Sequence, residues 1–123
     1  MIYKISDSVV IDSYGYRVIN SDGSPLNYFQ SRLEGIKSSD VERALLYVST
    51  LKRKKATDIP SLNLLDYLNS YLYSNGYIKE GANISNGALI VAMLQSGFKY
   101  KKIFLSKGTS IYLEFNVLLS SIE

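Results

Sequence analysis

The clearest pattern in the chain is a run in which nearly every position is apolar. Ala88-Leu89-Ile90-Val91-Ala92-Met93-Leu94 follows Ser85, a good N-cap, and precedes Gly97. A helix over 85–96 that is apolar on nearly every side has to be buried on nearly every side. Elsewhere the apolar positions repeat with a period. Val41, Ala44, Leu45, Val48 and Leu51 form one stripe at helical spacing. They overlap Ser39-Asp40-Val41-Glu42, the pattern of a capping box, in which the Ser39 oxygen takes the Glu42 amide and Glu42 reaches back. Together these predict a helix over 40–53. Leu62, Leu65, Leu68 and Leu72 predict another, starting at Asp58 or Ser61 beside Pro60 and closed by Gly76. A shorter helix is expected behind Ser24-Pro25, where Leu26, Phe29, Leu33 and Ile36 keep the spacing. Residues 77–84 read as a loop.

Both ends of the chain read as extended instead. Val9-Val10-Ile11 and Tyr16-Arg17-Val18-Ile19 flank Ser13-Tyr14-Gly15, and Asp22-Gly23 marks a turn, so residues 2–23 predict an antiparallel hairpin. Asp7, Asp12 and Asp22 fall at its ends and turns, where an Asp carboxylate bonds its own backbone. Ile103-Phe104-Leu105 and residues 110–118 predict two more strands, joined by the turn Ser106-Lys107-Gly108-Thr109. In the second, Ile111, Leu113, Phe115 and Val117 point one way while Tyr112, Glu114 and Asn116 point the other. Strands, helices, then strands is an α+β order. The expected architecture is an antiparallel sheet formed by the N-terminal and C-terminal hairpins, with three to four helices packed on it. With 123 residues, no internal repeat and no linker, residues 1–123 read as a single domain.

Composition narrows the chemistry. The chain has no histidine and no cysteine. It therefore lacks the commonest general base, the commonest transition-metal ligand and any thiolate. Its carboxylates are scattered. Asp40 and Glu42 sit together at a helix start, where capping accounts for them, and Asp58, Asp66, Glu80 and Glu114 stand far apart. Ser106-Lys107-Gly108-Thr109-Ser110 lacks the upstream glycine of a phosphate loop and reads as a hairpin turn. A non-enzymatic protein without cofactor or metal is expected. No run approaches the roughly 18 apolar residues of a membrane span, and Met1-Ile2-Tyr3-Lys4 does not open a secretory leader. The expectation is a cytoplasmic, soluble protein with no membrane partner.

Charge changes the picture more. Residues 1–51 hold five cationic and six acidic side chains, whereas residues 52–123 hold nine and five. Eight of those nine cations fall in two clusters: Lys52, Arg53, Lys54 and Lys55, then Lys99, Lys101, Lys102 and Lys107. Parallel packing of helices 40–53 and 85–96 would merge the clusters, and antiparallel packing would separate them. One reading makes them a phosphate-facing or acid-facing surface, with Tyr100 or Phe104 for stacking. The other makes them dipole compensation at two helix ends. Tyrosine, at 11 residues, suits contact surfaces and core edges alike.

Two helices followed by a hairpin also suggest a winged helix. Residues 62–75 would be its first helix, 85–96 its recognition helix and Lys107 its wing tip. The objection is that helix 85–96 offers only Asn86 and Gln95 as polar readers of base edges.

The segment Asn86-Gly87-Ala88-Leu89-Ile90-Val91-Ala92-Met93-Leu94-Gln95-Ser96-Gly97-Phe98 resembles one found in small uncharacterised proteins of phages and plasmids. There an NGxLIxAxxxxGF helix precedes a strand like Ser110-Ile111-Tyr112-Leu113-Glu114-Phe115-Asn116. The resemblance covers roughly the last third of the chain and implies a setting, a virus or mobile element, but no activity. The leading expectation is a small binding protein acting stoichiometrically on a protein or protein–nucleic-acid complex, as an inhibitor of a host defence or regulatory complex. Its contact residues would be Lys52, Arg53, Lys54, Lys55, Lys99, Tyr100, Lys101, Lys102 and Lys107. The alternative is a DNA- or RNA-binding regulator using the same clusters, and convergence of the clusters on one face would favour it. Whether the chain is a monomer or a small homo-oligomer stays open at this level.

Overall fold

The computed structural model describes residues 1–26, 32–104 and 111–122. Three antiparallel strands open the chain, one more than a hairpin: β1 (Tyr3–Ser6), β2 (Val9–Asp12) and β3 (Gly15–Val18), with β2 in the middle. Asp12 holds the β2–β3 turn. Its carboxylate accepts the amides of Tyr14 at 3.0 Å and Gly15 at 3.2 Å, the local role expected of a turn Asp. It also accepts from the Arg17 guanidinium at 2.9 Å and from the Glu34 amide at 3.1 Å. Asp12 and Arg17 are both buried. A buried ion pair is tolerated when its remaining lone pairs are filled in this way.

Residues 27–31, where the middle of the helix behind Pro25 was expected, lie outside the described residues. The chain on either side is not helical. Pro25 bridges Ile19, and the Leu26 amide donates to the Val18 carbonyl at 3.0 Å. Helix α1 (Ser38–Val48) starts earlier than its capping box predicts, and no side chain caps it. Ile36 is drawn into the core and its amide bonds the Met1 carbonyl. The turn therefore begins at Lys37, which leaves Ser39 and Glu42 inside the helix. The end also comes early. Ser49 Oγ and Thr50 Oγ1 bond the carbonyls of Leu46 and Tyr47, competing with the helix for its last turn.

Strand β4 (Ile59–Pro60) leads into α2 (Ser61–Ser74). Its buried face is Ser61, Leu64, Leu68 and Leu72, while Leu62, expected to face inward, is exposed. Helix α3 (Asn86–Gln95) matches its pattern: the Ser85 side chain accepts from the Ala88 amide, and every residue from Gly87 to Met93 is buried. Helices α2 and α3 close alike. Gly76 and Gly97 take positive φ, and the amides of Tyr77 and Phe98 reach back to the carbonyls of Leu72 and Met93.

Helix α3 is the centre of the molecule, flanked by α1, α2, β2 and β3. Its first turn meets the β2–β3 turn so closely that only glycine fits. A Cβ on Gly87 would lie 1.7 Å from the Asp12 carbonyl oxygen. The Gly87 amide donates to the Ser13 carbonyl at 3.0 Å, and Asn86 Nδ2 donates to the Tyr14 carbonyl at 3.1 Å.

A second antiparallel sheet uses β4, β6 (Ile111–Phe115) and β5 (Tyr100–Phe104), in the order β4-β6-β5. The fold is α+β, but the two chain ends build two three-stranded sheets, not one. Strand β3 lies beside β6, yet β6 already pairs on both edges and has none left for it. Leu113, Phe115 and Val117 are buried, as the alternation predicts. A short 3₁₀ turn, Leu119–Ser121, follows. Among the described residues no helix is long and apolar enough to cross a membrane.

Two predictions follow from this packing. Gly87→Ala should cost more than about 3 kcal/mol in urea unfolding, because the atom it strikes is backbone on both sides and cannot rotate away. Tyr47 gives the second. It is buried, its ring lies 5.4 Å from that of Tyr71, and its hydroxyl donates to the Ile122 carbonyl. Burial, helped by nearby Tyr67, pushes its pKa up to about 12. The unfolded chain releases that proton near pH 10, so this contribution is full below about pH 10 and is lost as pH rises toward 12. The stability gap between wild type and Tyr47→Phe should therefore shrink by an amount of order 1 kcal/mol between about pH 9 and about pH 11. A gap that stays constant would contradict the assignment.

Candidate functional site

The two basic clusters meet at Asn116. This residue continues the outward-facing row of β6 but is buried, because chain closes on it from both sides. On one side the Asn116 amide donates to the Lys99 carbonyl at 3.2 Å, and Asn116 Oδ1 accepts the Lys99 amide at 2.8 Å. On the other, the Lys54 amide donates to the Asn116 carbonyl at 3.0 Å, and Asn116 Nδ2 donates to the Lys54 carbonyl at 3.2 Å. Arg53 bridges Val117, and the Leu118 amide donates to the Lys52 carbonyl at 2.7 Å. Residues 52–54 thus run along one side of the β6 extension while Lys99 and β5 run along the other. Neighbouring strands lie about 4.8 Å apart, so the Lys54 and Lys99 backbones stand about 10 Å apart.

Residues 52–55 therefore do not compensate the dipole of α1, which ends at Val48 and has no cation in its last turn. The compensation is made across the fold. The Arg53 guanidinium donates to the Ser96 carbonyl at the end of α3 and lies 4.5 Å from the centre of the Phe98 ring. A cation there meets the negative end of the helix and an aromatic face together.

Of the other cations, Lys54 pairs with Asp58 at 2.7 Å and Lys101 with Glu114 at 3.5 Å. Lys52, Lys55, Lys99 and Lys102 are exposed, and none has an acidic partner among the described residues. Tyr100 is not a free stacking platform. It pairs opposite Phe115, 6.2 Å between ring centres, and is half-buried against the core. Lys107 lies outside the described residues, and nothing is described of the Phe104 side chain. Among the described side chains the site is therefore lysine-rich, and Tyr100 is not exposed for stacking.

Helix α3 cannot serve as a recognition helix. Every residue from Gly87 to Met93 is buried, and half-buried Asn86 is committed to the Tyr14 carbonyl, so no polar face is presented to a DNA groove. Strand β6 is the central strand of its sheet, and β5 lies at an edge.

One feature escaped the sequence. Asp66 and Glu80, 14 positions apart in the chain, line the same open cleft of about 480 Å³ with Asn69, Tyr73 and Asn83. Asp58 and Glu114 lie elsewhere, each against its lysine. Among the described residues no three acidic side chains are grouped so as to hold a metal ion.

No protein-family model matches the chain, and neither a curated protein nor a solved structure is significantly similar to it.

Asn116 is the residue on which this surface turns. Asn116→Leu keeps the shape but leaves the Lys99 amide and the Lys54 carbonyl unpaired. It should cost about 2–4 kcal/mol, read by urea unfolding. Faster hydrogen exchange at the Lys99 amide than in the rest of β5 should accompany that loss. Unchanged exchange at Lys99 would show that the side chain does not hold the junction.

Proposed function

We propose that this chain is a small non-enzymatic binding protein that acts stoichiometrically on a macromolecular partner, as a viral or mobile-element inhibitor of a host defence or regulatory complex. What supports this most is the basic surface around Asn116. Two clusters 44 positions apart at their nearest members, Lys55 and Lys99, border one strand, and four of their lysines are not neutralised by acids among the described residues. Cations left in that state cost stability through mutual repulsion, so an anionic partner is the natural reason to keep them. The resemblance of residues 86–98 and 110–116 to small phage and plasmid proteins supplies the setting.

The favoured partner is a protein, or a protein–nucleic-acid complex, with an acidic groove. Direct binding of DNA or RNA is the second reading, and the convergence of the clusters favours it. Against it stand the enclosed α3 and the use of arginines elsewhere. Arg17 is buried on Asp12, and Arg53 is seated on Ser96 and Phe98. Lysine acts on phosphate as a point charge and reads no sequence by bidentate bonding.

The test is a set of fluorescence-anisotropy titrations against poly-glutamate, a generic duplex and a generic single strand, each at several salt concentrations. Binding of poly-glutamate is expected to weaken with salt and to be lost in a Lys52→Glu, Lys99→Glu, Lys102→Glu variant. Tighter binding of either nucleic acid, with log affinity falling steeply against log salt, would replace this reading by the second one. Turnover of a small substrate, lost on changing one carboxylate, would overturn both.

A further inference from the structure

Strand β5 is an edge, and its free side is chemically specific. Pro60, opposite Glu114, has no amide, so Ile59 and Phe115 form the hydrogen-bonding pair of β4 with β6, and Glu114, the residue before, turns its amide and carbonyl to β5. Such pairs alternate with non-bonding ones. The register therefore makes Lys101 opposite Glu114 and Ile103 opposite Tyr112 the bonding pairs of β5 with β6. Tyr100, Lys102 and Phe104 therefore direct their amides and carbonyls away from β6. Strand β5 has no other strand neighbour among the described residues. Lys99, Lys101 and Lys102 are exposed along it.

We infer that the edge of β5 receives an acidic extended peptide as a fourth strand of the second sheet. This rests on the binding-protein reading above and names the form its partner takes. The added backbone would bond the outward groups of Tyr100, Lys102 and Phe104, which supply both donors and acceptors. The phosphates of a nucleic-acid backbone supply acceptors only and would leave those carbonyls facing oxygen. Acidic side chains at alternate positions of the added strand would fall on the face that carries Lys99 and Lys101. Lys101 is paired with Glu114 at 3.5 Å, and Lys99 on the same face has no acidic partner among the described residues. A second copy of this chain fits poorly. Pairing β5 against its own copy sets Lys101 and Lys102 close to the same lysines across the joint, and like charges in that position repel.

The test uses three labelled probes and the intact chain. The first is a ten-residue peptide alternating Glu with Val. The second is the same peptide N-methylated at every other residue on its pairing edge, which keeps the charge and removes the donors. The third is a twelve-nucleotide single strand. The plain peptide should bind at least about tenfold more tightly than the methylated one and than the single strand. Lys102→Pro removes one outward amide without touching the bonds to β6. It should weaken the plain peptide about tenfold relative to Lys102→Gln, provided circular dichroism shows both variants folded. If the two peptides bind alike and both depend on salt, strand addition is wrong while the basic-surface reading stands. Preference for the single strand overturns strand addition in favour of phosphate binding. Failure of every anionic probe at low salt removes the underlying reading and this inference with it.

Discussion

The buried carboxylate of Asp12 is the constraint on which the rest of the fold depends. It accepts four hydrogen bonds, from the amides of Tyr14, Gly15 and Glu34 and from Arg17. These bonds set the shape of the β2–β3 turn and bring in the returning chain before α1. The carbonyl of the same residue then serves as the stop against which α3 is seated, with Gly87 in contact and its amide on Ser13. A buried charge left with too few partners costs several kcal/mol, so the arrangement is close to all-or-none. With α3 placed, α1 and α2 can cover it, and its enclosed apolar body becomes the core.

The basic surface is a consequence of that placement. Helix α3 ends at Ser96, and the Schellman closure at Gly97 turns the chain directly into Phe98 and Lys99. Arg53 meets this end of the helix from another part of the chain, which draws residues 52–54 alongside β6. Asn116 completes the joint with hydrogen bonds to both flanking backbones. The two clusters that stand apart along the sequence thus border one strand, joined through the side-chain amide of Asn116. Lys99, Lys101 and Lys102 then lie along β5, the longer of the two edges of this sheet among the described residues.

Much of the fold was legible. The apolar run of α3, the Ser85 cap and the Gly76 and Gly97 closures all appear where the residues place them. So does the inward row of Leu113, Phe115 and Val117. The failures share a cause. The capping box at Ser39 lost to the burial of Ile36, and the long first helix lost to Ser49 and Thr50. Leu62 was misplaced because the true stripe of α2 begins at Ser61, a small polar residue that hydrophobicity does not flag. In the site, Lys54 of the first cluster and Lys101 of the second are the cations near acids among the described residues, and neither pairing follows from the sequence as a constraint on the surface.

By itself the sequence determined helices α1, α2 and α3, strands β2, β3, β5 and β6, the apolar rows of α3 and β6, and the absence of histidine and cysteine. These are properties of single residues and of spacings within one or two turns. Only the tertiary structure decided that two sheets form, that β6 is central and β5 an edge, and that residues 52–54 and 99–102 border the same strand. The bond that settles the last point, from Asn116 to the Lys54 carbonyl, spans 62 positions of the chain. Local periodicity carries no information over that distance. A strand offers two edges of equal hydrogen-bonding capacity, and which neighbour takes each one depends on how the whole core packs.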